Sequence, residues 1–255
     1  MTDAADAPIF IADGEQWVPQ AEAGGPFGGL HGGAVSGLIV AEMERAATAA
    51  GLGVLLSASV LFLRPAPMAP LTAHTRVLRH GDRVGALETE LRAQDKLIAK
   101  AHASFVAALA ADGLPEEPAR PFDPAPLSPW PFMPRFPQPT LFDALDLRVD
   151  RENRKWGRLT RPIVPFATTL AHVFAVADNG QPFSLGDPGD VVARYAFPNI
   201  DLAIYVSRPP VGPWVGVEAR SDWRASGMGL TESALYDEAG QFGRACQSIV
   251  LVPRT

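Results

Sequence analysis

Four places in this 255-residue chain hold side chains that could move a proton or steady a developing negative charge. Asp178 ends a stripe of helical spacing made by Phe166, Leu170, Val173, Phe174 and Ala177. A carboxylate there meets the negative end of the helix dipole, a placement expected of a general base. The plainer reading, an aspartate opening the Asp178-Asn179-Gly180 turn, stays open. Asn199 follows Phe197-Pro198 at the head of a strand, with Asp201 on its face and Ile200, Leu202, Ile204 and Val206 on the other. Simple turn chemistry would account for it as well. Gln247 sits in the middle of a strand row formed by Gly243, Ala245, Gln247, Ile249 and Leu251. A buried amide without partners costs about 1–3 kcal/mol, so Gln247 either orients a ligand or a water, or is satisfied by backbone. His31-Gly32-Gly33 opens a helix, whose first N–H groups can hold an oxyanion or a phosphate. A flexible turn with a capping or packing histidine is the alternative.

The elements that must position these groups repeat. Phe62-Leu63-Arg64-Pro65 recurs as Val206-Ser207-Arg208-Pro209, 144 residues later. The same offset pairs Arg76 with Arg220, Gly85 with Gly229, Glu88 with Glu232, Leu91 with Leu235, Ala101 with Ala245, Ser104 with Ser248 and Val106 with Val250. A repeat says how a chain is built. A difference between copies marks where a site can lie, and the sharpest one sets Gln247 against Ala103. In the first copy a helix over 34–50 ends at Gly51, and strands follow over 55–64, 71–80, 84–92 and 97–109. In the second, a short strand over 155–161 and a helix over 166–178 precede strands over 195–208, 214–223, 229–236 and 242–252. One helix and a four-strand antiparallel run, twice over, is an α+β pattern in which each sheet wraps a helix.

This organisation predicts an N-terminal unit over 1–112, a proline-rich linker over 113–142 and a C-terminal unit over 143–255 that carries Asp178, Asn199 and Gln247. Proline recurs every two or three residues from 115 to 139, so this stretch reads as linker rather than element. Its aromatics (Phe122, Trp130, Phe132, Phe136) point to packing on a surface.

Composition removes several classes of function. A net charge of −6 gives no electrostatic reason to expect nucleic-acid binding. No run approaches the roughly 18 apolar residues of a membrane span. The single cysteine, Cys246, excludes an intrachain disulfide and reads as a small, buried, inert thiol. Residues 1–6 lack a signal-peptide pattern, and a cytoplasmic protein is expected. The histidines form no metal-ligand pairs at familiar spacings, and neither a G-x-S-x-G elbow nor a P-loop lysine is present. Exposed sheet edges leave room for homo-oligomers.

Taken together these residues resemble the double-hotdog thioesterases of the acyl-CoA thioesterase II type. The resemblance rests on His31-Gly32-Gly33, Phe62-Leu63-Arg64-Pro65 and Ala103-Ser104-Phe105 in the first half. In the second it rests on Ala177-Asp178, Asn199-Ile200-Asp201-Leu202, Arg208-Pro209, the hairpin over 235–240 and Ala245-Cys246-Gln247-Ser248. It implies a double hotdog that hydrolyses acyl-CoA in lipid metabolism without metal or cofactor. The family's catalytic aspartate, hydroxyl residue and glutamine fall on Asp178, Asn199 and Gln247, the middle one being an amide here. The implied oxyanion site is His31, Gly32 and Gly33, lent by the first hotdog, and the acyl chain would enter an apolar tunnel between the two helices. A non-catalytic acyl-binding hotdog is the alternative. A hydratase of the same fold would need an Asp/His pair, and the sequence shows no partner for His31 at hydratase spacing.

Overall fold

Period-two apolar runs become strands, and the two alanine- and glycine-rich segments become the helices they cover. The computed structural model describes residues 7–109, 113, 123–124, 127–131, 136–185 and 194–254. The N-terminal half contains β1 (Phe10–Asp13), β2 (Gln16–Pro19), α1 (Gly32–Ala50), β3 (Val54–Phe62), β4 (Leu71–His80), β5 (Val84–Ala93) and β6 (Lys96–Val106). The C-terminal half contains β7 (Ser128–Pro129), β8 (Leu145–Val149), β9 (Lys155–Leu159), α2 (Ala171–Ala177), α3 (Gly180–Ser184), β10 (Tyr195–Ala196), β11 (Asp201–Val206), β12 (Val215–Trp223), β13 (Met228–Asp237), β14 (Gly240–Val250) and β15 (Val252–Pro253).

Thirteen strands form one antiparallel sheet in the order β1-β2-β4-β5-β6-β3-β11-β14-β13-β12-β9-β8-β7. Read outward from the β3–β11 pair, where Ala203 faces Ser59, the six strands of the first half match the first six of the second in order, and β7 adds a seventh, so two hotdogs meet at this pair. β5 and β13, and β6 and β14, keep the 144-residue offset at both ends. Arg76 pairs across the ladder with Glu88, and Arg220 with Glu232, so the repeat preserves register as well as sequence.

The two helices lie antiparallel inside this sheet. A Cβ on Gly33 would sit 2.6 Å from the Ala175 carbonyl oxygen, and one on Gly37 would sit 3.0 Å from that of Ala171. Glycine at these two positions lets the backbones approach closely along this stretch. Two pockets lie elsewhere among the described residues. One of about 420 Å³ lies between α1 and β4, beside Glu42, Arg45 and His74. Another of about 320 Å³ lies beside Arg161, Phe166 and His172.

Three boundaries differ from expectation for physical reasons. α2 begins at Ala171 rather than 166. Both Glu44 carboxylate oxygens of α1 accept from the Thr169 and Leu170 N–H groups, so the partner helix caps α2. It ends at Ala177, where the Asn179 side chain donates to the Ala175 and Val176 carbonyls. The strand expected over 195–208 is broken: Pro198 has no N–H for a ladder, and Asn199 makes only an isolated bridge to Ile249. Leu202, Ile204 and Val206 are buried as expected, but Ile200 is exposed. The proline-rich segment is not element-free. Ser128–Pro129 adds an edge strand against β8, and Trp130 is buried with its ring edge-on to Phe183. Phe136 stacks on Phe142, while Phe122 and Phe132 lie outside the described residues.

His172 is the most perturbed histidine of the described residues. Its Nε2 is buried without a partner, and burial lowers its pKa from 6.5 to about 4. The nearby Arg161 is held by the Ala7 carbonyl and Glu22. Between pH 6.5 and about 4 the unfolded chain binds a proton that the folded chain refuses, so stability rises with pH across that window. Thermal melts from pH 7 to 4 should show an acid-side loss of about 3 kcal/mol that His172→Phe removes. Parallel loss in both proteins would refute it.

Candidate active site

The site forms because α1 starts where α2 ends. His31 is the N-cap of α1, and its Nδ1 accepts from the Gly33 N–H at 2.9 Å. Its ring packs edge-on against Phe142. The capping role that the sequence left as an alternative is therefore realised. Asp178 is the C-cap of α2 and is buried. Its carboxylate crosses to the first hotdog and lies over Gly32, where a Cβ would come within 2.8 Å of Oδ2. The negative end of α2 and the positive end of α1 thus act on one carboxylate in opposite senses.

Asn199 Nδ2 donates to Asp178 Oδ1 at 2.7 Å and to the Asp201 carbonyl at 3.2 Å. Asp201 does not join it. The Asp201 carboxylate accepts from the Ser248 N–H and hydroxyl, so the break at Ile200 separates two residues expected to share a face. Gln247 Nε2 donates to the Asp178 backbone carbonyl at 3.0 Å, which leaves its Oε1 buried and unpartnered. Both readings of Gln247 meet here: backbone satisfies one end of the amide, and the other end is an unused acceptor.

The other Asp178 oxygen, Oδ2, lies 3.1 Å from His31 Nδ1. No partner for His31 was legible in the sequence, and the fold supplies one from 147 positions away. Nδ1 cannot both accept from Gly33 and donate to Asp178. Donation from Nδ1 to Asp178 and acceptance from Gly33 are therefore alternatives.

Sequence reasoning missed a run of hydroxyls beside Gln247. Thr231 faces Gln247 across the β13–β14 ladder. The Thr231 hydroxyl meets that of Ser221 at 2.7 Å, and Ser221 meets Ser184 at 2.6 Å. The repeat held the signal, because at the 144-residue offset Thr231 and Ser221 replace Leu87 and Val77. Cys246, expected to be buried, is exposed on the outer face of the sheet. Partial burial, then Glu232 and Asp201, push its thiol pKa up, which opposes thiolate chemistry.

A buried aspartate held by an amide and a histidine where two hotdog helices meet is a candidate site composed from both halves. Residues 21–106 match the acyl-CoA thioesterase N-terminal domain, and residues 110–251 match the acyl-CoA thioesterase C-terminal domain. The chain belongs to the acyl-CoA thioesterase family, and with it to the thioester hydrolases. Among solved structures it is similar to the acyl-CoA thioesterase II TesB2 of Mycobacterium marinum, with a TM-score of 0.67 at 16% identity over 96% of this chain and 95% of that one. A provisionally assigned thioesterase of Novosphingobium aromaticivorans gives 0.73 at 18% identity over 96% and 99%. A hot dog fold protein of unknown function from Alicyclobacillus acidocaldarius gives 0.65 at 17% identity over the full length of both chains. At these identities the likeness is one of fold. No curated protein matches the sequence. Among the described residues, no helix is long and apolar enough to cross a membrane.

Proposed function

We propose that the protein hydrolyses acyl-CoA thioesters to free acid and coenzyme A, with Asp178 as the general base. The observation that supports this most is the Asp178 carboxylate, buried and held on Oδ1 by Asn199 beside the start of α1. Asp178 takes a proton from a water that the free Gln247 Oε1 helps to hold, and the hydroxide adds to the thioester carbonyl carbon. The negative charge that develops on the carbonyl oxygen falls to N–H groups of Gly32 and Gly33. The Gly33 N–H is available when His31 Nδ1 serves Asp178 as a donor instead of accepting from Gly33. Collapse of the adduct breaks the carbon–sulfur bond, and the Asp178 proton leaves with the thiolate as coenzyme A. The reading also places the C-terminal hotdog, 143–255, as the half bearing the base, and the N-terminal hotdog, 1–112, as the half lending the helix end. A cytoplasmic role in lipid metabolism accompanies it, supported by the substrate class and the lone cysteine.

A panel of acyl-CoA esters with a free-thiol readout tests the reaction. Thiol release matched by acid formation is expected. Retention of ligand without release would instead favour an acyl-binding protein. Consumption of an enoyl-CoA without thiol release would favour the hydratase, whose Asp/His pair the fold provides. Within the panel, Asn199→Ala should lower kcat by about tenfold, and Asn199→Thr should recover most of it, because a hydroxyl can also donate to the carboxylate. Equal loss in both variants would show that donation at this position is not what matters.

A further inference from the structure

We propose that Phe27, Arg194, Tyr195 and Arg254 form a docking platform for the adenosine phosphate end of coenzyme A. The proposal rests on the acyl-CoA reading above. Each of the three chain segments that build the site also brings a member of this cluster. Phe27 precedes His31 by four residues, Tyr195 precedes Asn199 by four, and Arg254 follows Gln247 by seven. Short chain segments thus tie the platform to the residues of the proposed reaction centre.

The cluster is built rather than incidental. β10 and β15 pair, with Tyr195 opposite Pro253 and Ala196 opposite Val252. The Arg254 N–H donates to the Arg194 carbonyl at 2.8 Å, and Arg254 Nε donates to the Tyr195 carbonyl at 3.2 Å. This fixes the Arg254 guanidinium 6.0 Å from the Phe27 ring centroid, while Arg194 lies 5.9 Å from that of Tyr195. Phe27 is 53% exposed at the tip of a loop closed by the Gly24–Leu30 bridge and a Gly25 N–H to Gly29 carbonyl bond. The mini-sheet continues directly from the Asn199–Ile249 bridge and the Val250 N–H to Pro198 carbonyl bond.

Two features point to the ligand. In a chain of net charge −6, an anionic substrate needs local cations, and no carboxylate among the described residues pairs with the Arg254 guanidinium. Arginine's planar fork suits phosphate oxygens, and an exposed aromatic ring beside it gives a purine a face to stack on. An adenine ring with phosphates needs this combination, and an acyl chain does not.

Isothermal calorimetry of the full chain tests the platform without relying on turnover, with coenzyme A as probe and pantetheine, which lacks the nucleotide, as control. Arg254→Glu and Phe27→Ala should each weaken coenzyme A binding by about tenfold or more and leave pantetheine binding unchanged. For acyl-CoA the same variants should raise KM with kcat within about twofold, and acyl-pantetheine kinetics should not move. Unchanged coenzyme A affinity, or equal losses for both probes, would overturn the platform. Hydrolysis by wild type with unaffected variants would leave the thioesterase reading standing alone. Selective loss of coenzyme A binding in a protein that hydrolyses nothing would do the reverse.

Discussion

Asp178→Asn is expected to lower acyl-CoA turnover by at least about 10²-fold while leaving the fold intact. The substitution keeps the shape of the side chain, and its amide oxygen can still accept from Asn199. It removes the ability to take a proton from water, together with the carboxylate oxygen that faces His31 Nδ1. Gln247→Ala should cost a similar factor by another route. It deletes the donor to the Asp178 carbonyl and the buried acceptor Oε1, so that the carboxylate's backbone anchor and the water's partner go together. Steady-state kinetics with circular dichroism and thermal melts as folding controls would check both. Near wild-type turnover in two correctly folded variants would remove Asp178 from the base role.

The largest effect on stability is expected at the arginine of the repeated Arg-Pro motif, and in one copy only. Arg208 grips Asp237 with both terminal nitrogens, one of them at 2.8 Å, and Asp237 is fully buried while also accepting from the Val211 and Ala239 N–H groups. Burial acts to raise the Asp237 carboxyl pKa, and the Arg208 and backbone donors more than reverse it, so the net shift is downward. Arg208→Ala would strand a buried carboxylate and should cost about 3 kcal/mol. In the first copy the position equivalent to Asp237 is Ala93, and Arg64 donates instead to the Leu97 carbonyl at 2.6 Å from an exposed position. Arg64→Ala should therefore cost under about 1 kcal/mol. Chemical denaturation of both variants decides the matter, and equal losses would contradict it. The sign with pH follows from the lowered pKa: the Arg208–Asp237 contribution is complete above about 3.8 and is lost as pH falls through the folded value.

Much of the scaffold could be read before any coordinates, because the repeat is a local and periodic signal. The limits of β4, β5, β6, β12, β13 and β14 fall within three residues of those read from alternation alone. The elements that escaped are short or lack alternation. β1, β2 and β8 are four or five residues long and lie toward the sheet ends. α2 lost its first turn because its cap comes from Glu44 on another helix, and no scan along 166–178 could register that. Burial also raises the Glu44 carboxyl pKa, partly offset by the Leu170 and Thr169 donors.

By itself the sequence determined that there are two copies, that the second is the polar one, and that Asp178, Asn199 and Gln247 belong to it. Residue type and period carry those facts, since a glutamine facing inward where its twin is alanine needs no coordinates to be noticed. Only the tertiary structure decided what each group does. It turned Gln247 onto a backbone carbonyl instead of the carboxylate. It parted Asn199 from Asp201 at a break after Pro198, and it gave His31 a partner in the other hotdog. The physical reason is the antiparallel contact of α1 and α2, which sets the end of one helix against the start of the other. Hydrogen bonds across that junction depend on how two backbones meet, and neither segment alone records the meeting.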